Sequence, residues 1–224
     1  MATSVGSGEP EPSAMRLLTA LTVLWALIAA LAAAEPLDRL LSTSGITQLP
    51  EGSALIYRHR RADGRPAGSP QATERTIRIE RQAGKANVIA TFEGGGAPRQ
   101  LATFRGTTGN PVALLFIDSV VARVSEASGA NPFYLRNRIK EAMQERRHVR
   151  QASARNGGSD LAAQEVMLRP FEADEHADEL GIFAALELAF LLSDAVPGGF
   201  VSLRATAGEG TGGYMEEILL DGTK

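Results

Sequence analysis

The chain contains no cysteine among its 224 residues. Disulfide bridges, thiolate nucleophiles and thiolate metal ligands are therefore excluded. Histidine is scarce as well, since only His59, His148 and His176 could supply imidazole chemistry. The sequence also lacks the H-E-x-x-H zinc motif, the G-x-S-x-G nucleophile turn and the Walker phosphate loop. These absences disfavour a standard hydrolase or metalloenzyme and predict no cofactor and no metal, although catalysis by carboxylates alone stays open.

The chain has no excess of positive charge either. Its 23 basic residues face 26 acidic ones, and the formal net charge is -3. This balance gives no electrostatic reason to expect binding to nucleic acid or to an anionic membrane surface. The hydrophobic content of 44% is sufficient for one substantial core. We therefore expect one α+β domain over residues 35–224.

The N-terminal region has the three parts of a secretory signal peptide. Arg16 supplies the basic start, Leu17–Leu31 is an apolar run, and small alanines precede Glu35. We predict a signal peptide over residues 15–34 with cleavage after Ala34, which would make the protein periplasmic or secreted in a Gram-negative-type bacterium. The alternative is an uncleaved N-terminal helix that anchors the chain, because 18 apolar or neutral residues approach the length that spans a bilayer.

The first 14 residues do not fit the basic start of a signal peptide. They include Glu9 and Glu11 and carry no basic residue. We therefore predict that residues 1–14 are a non-native extension and that translation begins at Met15.

Eight segments have the composition and the alternating polarity of strands. In one of them Ile77 and Ile79 alternate with polar residues, which is typical of a strand with one buried face. Turns rich in glycine and proline separate several segments and favour antiparallel pairing. The predicted strands are Leu55–Arg61, Arg75–Arg81, Ala86–Glu93, Arg99–Arg105, Leu161–Phe171, Phe183–Leu192, Gly199–Thr206 and Tyr214–Leu220.

Two Asn-Pro pairs, at residues 110–111 and 131–132, each precede a long periodic segment. An asparagine side chain can cap a helix, and proline is tolerated at the first helical position, where no intrahelical donor is needed. Each pair therefore predicts a helix start. The first helix is predicted to end near Ala127, before Gly129, and the second is predicted to end near Arg147.

The two helices differ in how their apolar residues are distributed. The first is apolar around most of its circumference, which predicts enclosure on most sides, with the strands as the wall. The second has a single apolar stripe that includes Leu135, Ile139 and Met143, which predicts a surface helix. Residues near 148–160 are basic, rich in glycine and serine and without a period, and we interpret them as a mobile linker.

Together these patterns predict the α+β class. The expected architecture is a curved antiparallel sheet of about eight strands packed around one buried helix, with a second amphipathic helix on the surface. In shape this arrangement is similar to periplasmic carriers of lipoproteins and other hydrophobic ligands, in which a concave sheet receives the guest. That likeness of shape implies an apolar ligand.

Asp118 lies within the apolar first helix. An isolated buried carboxylate is energetically costly, so it must be paired, protonated or open to a cavity. We expect an ion pair with an arginine of the second helix or of a strand. The alternative is a polar group inside a ligand cavity.

Three functional hypotheses follow. The leading one is a non-enzymatic envelope protein that binds an apolar ligand or a partner protein. The apolar residues that are candidates to line its ligand cavity could equally form a solid core. The second is a structural or assembly factor that acts through a basic surface of the second helix. The alternative interpretation of that basic surface is an ordinary solvated face. The third is an enzyme that uses carboxylates of Asp118 or of the acidic run Glu172–Glu179. The ligand candidates are Phe104, Leu115, Phe116, Ile117, Asp118, Leu188 and Phe190, and the partner candidates are Arg136, Lys140, Arg146 and Arg147.

Two further motifs have ordinary structural interpretations. Gly208, Gly210 and Gly213 match the spacing of a dinucleotide-binding turn, but a strand-like segment follows where that turn requires a helix. We therefore predict a hairpin turn. The acidic run lacks the ligand spacing and central glycine of a calcium-binding EF-hand, so we interpret it as a solvated loop.

Overall fold

A nine-stranded antiparallel sheet forms the body of the protein in the computed structural model. The structure describes residues 49–63, 71–82, 87–93, 97–105, 109–145 and 149–223. Within them, the strands are β1 (Ala54–Asp63), β2 (Gln71–Arg81), β3 (Asn87–Glu93), β4 (Arg99–Arg105), β5 (Val149–Asn156), β6 (Ser159–Leu168), β7 (Glu187–Leu192), β8 (Phe200–Ala207) and β9 (Tyr214–Thr223).

The sheet consists of two meanders that meet at its centre. Strands β1–β4 form one meander and strands β5–β9 form the other, and antiparallel pairing of β1 with β9 joins them. The order across the sheet is β4-β3-β2-β1-β9-β8-β7-β6-β5. The sheet is open, because β4 and β5 each pair with only one neighbouring strand in the described residues.

Two α-helices follow β4, and they begin as the Asn-Pro pairs predict. Helix α1 spans Pro111–Ser128, and the Asn110 side chain accepts a hydrogen bond from the backbone N–H of Val112 at 3.1 Å. Helix α2 spans Pro132–Gln144, and Asn131 accepts from the N–H of Phe133 at 2.8 Å. The predicted starts are therefore confirmed.

The end of α1 is also confirmed. Gly129 follows the helix with a φ of 76°, and its backbone N–H donates to the carbonyl of Ser125. This left-handed conformation favours glycine because any Cβ would be strained there.

The hydrophobic core lies between the helices and one face of the sheet, which we call the inner face. Helix α1 contacts β8 and the 3-10 helix Ala177–Ala185, and α2 contacts β6. The rings of Phe116 in α1 and Phe190 in β7 meet edge to face, with centroids 5.8 Å apart. Both side chains are fully buried, so this contact fixes α1 against the second meander.

The predicted fold class is wrong. The sheet has nine strands rather than about eight, and it does not enclose α1 on most sides. Helix α1 buries one side, which includes Val112, Phe116 and Val120, whereas Leu114 and Leu115 are only half-buried. The protein is mainly a single β-sheet with helices on one face. Apolar residues around most of α1 predict enclosure, but part of the helix surface borders an open cleft.

The mobile linker predicted near residues 148–160 is instead a hairpin of β5 and β6. Gly157 and Gly158 form its turn, with φ values of 57° and 86°, which suit a tight two-residue hairpin connection. The strand predicted at Phe183–Leu192 also begins later, at Glu187, because the 3-10 helix occupies Ala177–Ala185.

The predicted extension at residues 1–14 and the predicted signal peptide at residues 15–34 lie outside the described residues. Both stay predictions, as does the single domain over residues 35–224. No helix in the described part of the chain is both long enough and apolar enough to cross a membrane.

Candidate functional site

A cleft of about 280 Å³ separates helix α1 from the inner face of the first meander and β9. We call it the α1 cleft. Its wall is mainly apolar, with a polar group at one side formed by His59, Ser119 and Glu216. The described residues that line it are His59, Ile77, Phe92, Leu101, Leu115, Asp118, Ser119, Glu216 and Ile218.

Strand register brings the sheet side of the α1 cleft together. His59 on β1 lies opposite Ile218 on β9, and Ile77 on β2 lies opposite Phe92 on β3. Directly opposed residues of antiparallel strands point to the same face, so the four side chains share the inner face. From α1, Leu115 and Ser119 are four residues apart and therefore lie on one side of the helix.

Glu216 is a fully buried carboxylate at the edge of the α1 cleft. Its Oε1 atom is 2.9 Å from His59 Nε2, and its Oε2 atom accepts a hydrogen bond from the Tyr214 hydroxyl at 2.6 Å. The Ser119 side chain is a third hydrogen-bond partner. A buried carboxylate with three partners is satisfied, which explains why it is tolerated in an apolar interface.

The environment of Glu216 determines its ionisation. Burial by itself raises the pKa of the Glu216 carboxyl, but hydrogen bonds from His59, Tyr214 and Ser119 outweigh burial and hold the pKa below its usual value. Burial, followed by the negative charge of Glu216, raises the pKa of the Tyr214 hydroxyl. Glu216 is therefore ionised and Tyr214 neutral near neutral pH.

The lowered pKa of Glu216 predicts a specific acid dependence of stability. The folded state binds this proton less readily than the unfolded state, so the stabilisation is present above the ordinary pKa of 4.5 and is lost as pH falls through the folded pKa. We expect Glu216→Gln to flatten the fall in unfolding free energy below about pH 4.5. Urea unfolding at several pH values measures this. Glu217→Gln, one residue along on the outer face, is the control, and equal slopes in wild type and Glu216→Gln would contradict the assignment.

One ring nitrogen of His59 forms a hydrogen bond, and the other has no hydrogen-bond partner among the described residues. Because the ionised Glu216 carboxylate can only accept, Nε2 of His59 carries the proton and donates to it. Nδ1 of His59 is buried and has no hydrogen-bond partner in the described part of the protein. The ring also stacks on Phe92, with centroids 6.0 Å apart. The site thus contains an oriented imidazole with one unused polar atom.

This cluster does not form a catalytic relay. A serine nucleophile needs an imidazole within hydrogen-bond reach to take its proton. Here Ser119 and His59 both bind Glu216, and no hydrogen bond joins the serine hydroxyl to the imidazole among the described residues. The arrangement suits a fixed polar contact at the side of an apolar cavity better than nucleophilic catalysis.

Leu115 and Asp118 are the two predicted ligand residues that line the α1 cleft. Asp118 also forms the expected ion pair, since Arg136 Nε of α2 lies 3.1 Å from its Oδ1 atom. The premise that this carboxylate is enclosed was wrong, because its side chain is 61% exposed. Asp118 therefore lies at the mouth of the cleft with its charge already partnered.

The other predicted ligand residues are not among those that line the α1 cleft. Phe116, Leu188 and Phe190 are fully buried in the core. Phe104 and Ile117 are half-buried and pack against that core. The structure thus places these five in or against the packed interior, and their role in ligand binding stays a prediction.

The predicted partner surface on α2 is only partly described. Arg136 is exposed and paired with Asp118, and Lys140 is exposed. Arg146 and Arg147 lie outside the described residues. The partner role of these four residues stays a prediction.

The acidic run is not wholly a solvated loop. The Asp174 side chain is only 2% exposed and lies 2.6 Å from Arg138 Nε on α2. It also accepts a hydrogen bond from the Tyr134 hydroxyl. Burial, together with this bond to Asp174, raises the pKa of Tyr134 to about 12. Asp174 thus fastens the loop to α2, and no group of acidic or histidine side chains in the described residues could hold a metal ion.

Sequence patterns alone do not identify Glu216 and Ser119 as site residues and do not reveal the role of His59. A usable signal was present in the segment Tyr214–Leu220, where Glu216 occupies the same alternating face as Tyr214, Ile218 and Leu220. A carboxylate on an otherwise apolar strand face must find buried partners. The identity of those partners depends on strand pairing, which composition does not provide.

Comparison with known proteins gives this chain no relative from which to take a function. No model of a known protein family matches it, and no curated protein shows significant similarity.

Proposed function

We propose that the protein is a non-enzymatic envelope protein that binds a small apolar ligand in the α1 cleft. The observation that carries this proposal is a cavity of about 280 Å³ whose wall is formed largely by Ile77, Phe92, Leu101, Leu115 and Ile218. Ligand sites are typically concave and mainly apolar, with a few polar groups that fix orientation. This volume is slightly below the usual range of about 300 to 1,000 Å³, which suits a small ligand or one chain of a larger one.

The outer face of the sheet offers a contrasting concavity of about 350 Å³. Its lining is polar and includes Arg150 and Glu165, which form an ion pair with each other, and Arg204. Moving apolar surface into such a groove would gain little, because its charged groups stay solvated. The α1 cleft is therefore the better site for an apolar ligand.

The site's polar groups support binding rather than reaction. Asp118 is paired with Arg136, and Glu216 accepts hydrogen bonds from His59, Tyr214 and Ser119. Both carboxylates thus have protein partners, which favours a binding role over catalysis by carboxylates. The envelope location in this proposal rests on residues 15–34, which have the pattern of a secretory signal peptide.

Solvent extraction of the purified protein, followed by mass spectrometry and titration with an apolar fluorescent probe, tests the proposal. We expect a co-purifying apolar compound or saturable probe binding with one site per chain. Neither a bound compound nor saturable probe binding would contradict it.

A further inference from the structure

Two arginines beside the α1 cleft have no acidic partner among the described residues. Arg75 on β2 and Arg99 on β4 both place their guanidinium carbon over the ring of Phe92, at 5.4 Å and 5.7 Å from its centroid. Both residues are exposed, and no carboxylate in the described residues forms a salt bridge with either. Most other described arginines have such a partner.

Strand register places both arginines beside the cleft wall. Arg75 lies directly opposite His59, and Arg99 lies directly opposite Phe92. Opposed residues share a sheet face, so both arginines lie on the inner face with the cleft-lining His59 and Phe92. Positive charge is therefore concentrated at one end of an apolar cavity.

The same end has an unused polar atom. His59 Nδ1 is buried without a hydrogen-bond partner in the described residues, and His59 lines the cleft. Because Nε2 donates to Glu216, Nδ1 carries no proton and can accept a hydrogen bond but cannot donate one to an anionic oxygen. The donors available to an anionic headgroup beside Phe92 are therefore the two guanidinium groups.

We propose that the α1 cleft selects a single-chain amphiphile with an anionic headgroup, which Arg75 and Arg99 bind beside Phe92. This inference rests on the proposed apolar site and adds the chemical class of its ligand. The chain lies along Ile77, Leu101 and Leu115, and the carboxylate or phosphate group stays at the rim. Arginine suits this role because its planar fork pairs with two oxygens and stacks on an aromatic ring.

The test uses four amphiphiles with the same twelve-carbon chain, all below their micelle concentrations. These are dodecanoate, dodecyl phosphate, dodecanol and dodecyltrimethylammonium, and displacement of a bound apolar probe measures each dissociation constant. Wild type is expected to bind the two anions at least about tenfold more tightly than the alcohol and the cation, which corresponds to about 1.4 kcal/mol. The carboxylate and phosphate arms show which anionic group is preferred.

Removing the charges of Arg75 and Arg99 tests whether these residues cause the preference for anionic amphiphiles. We expect the double variant Arg75→Gln/Arg99→Gln to lose the preference for anions while its affinity for dodecanol changes less than about twofold. Arg75→Lys/Arg99→Lys, which retains both charges, should keep part of the preference. The matched control is Arg58→Gln/Arg60→Gln on β1, because these two arginines are exposed on the opposite face and their removal changes the net charge equally.

The outcomes separate the two proposals. Equal binding of all four amphiphiles, or an anion preference that survives in Arg75→Gln/Arg99→Gln, would overturn the headgroup assignment and leave the apolar site intact. Absence of binding by every amphiphile and by the probe would overturn both.

Discussion

Replacing Leu115 by tryptophan is expected to weaken binding of an apolar ligand at least about tenfold. Leu115 lines the α1 cleft and is half-buried, so the larger side chain can occupy the space that the ligand would take. Because the cleft is open, the unfolding free energy is expected to fall by less than about 2 kcal/mol. Probe titration and urea unfolding measure the two effects.

Leu114→Trp is the matched control for this substitution. Leu114 is the preceding residue of α1, is also half-buried and is not among the residues that line the cleft. The Leu114→Trp variant should therefore bind the ligand as tightly as wild type does. Unchanged binding in Leu115→Trp, or equal loss in both variants, would place the ligand elsewhere.

Replacing Phe190 by alanine is expected to lower the unfolding free energy by about 3 to 5 kcal/mol. The ring is fully buried between Phe116 of α1 and Phe200 of β8, with centroid distances of 5.8 Å and 6.4 Å. Its loss removes apolar contact and leaves a void where the helix meets the sheet. Such a loss is a large part of the stability of a typical domain, which is about 5 to 15 kcal/mol. Urea denaturation followed by circular dichroism measures it.

Leu191→Ala provides the comparison on the same strand. Leu191 points to the outer face and is half-buried, so its truncation is expected to cost about 1 kcal/mol or less. A loss below 1 kcal/mol in Phe190→Ala would show that this part of the core is loosely packed and would reopen Phe190 as a ligand contact.

Local chemistry made some elements predictable. The Asn-Pro pairs specify both helix starts because the cap and the first helical residue are adjacent in the chain, and Gly129 specifies an end for the same reason. Strand β4 was predicted with its observed bounds, Arg99–Arg105. Each of these signals depends on neighbouring residues alone.

The β5–β6 hairpin escaped prediction because its strands lack large apolar residues at their centre. Ala154 and Ala163 are the buried residues there, and small residues give a weak alternating signal. Gly157 and Gly158 add to the composition that predicts a mobile linker, although two glycines between short alternating segments are also a hairpin signal.

The α1 cleft could not be predicted because it depends on contacts between distant parts of the chain. His59 and Glu216 are 157 residues apart and meet only because β1 pairs with β9. The helix side was partly anticipated, since Leu115 and Asp118 were named from the helix alone. The predicted enclosure of α1 is wrong because apolar residues on a helix do not show whether protein or a ligand covers them.

Intermolecular nuclear Overhauser effects between dodecanoate and methyl-labelled protein test the central claim most directly. If the ligand occupies the α1 cleft, its chain protons will show contacts to the methyl groups of Ile77, Leu101, Leu115 and Ile218. Contacts confined to outer-face methyl groups such as those of Leu191 and Leu219, or no contacts at saturating dodecanoate, would contradict the account.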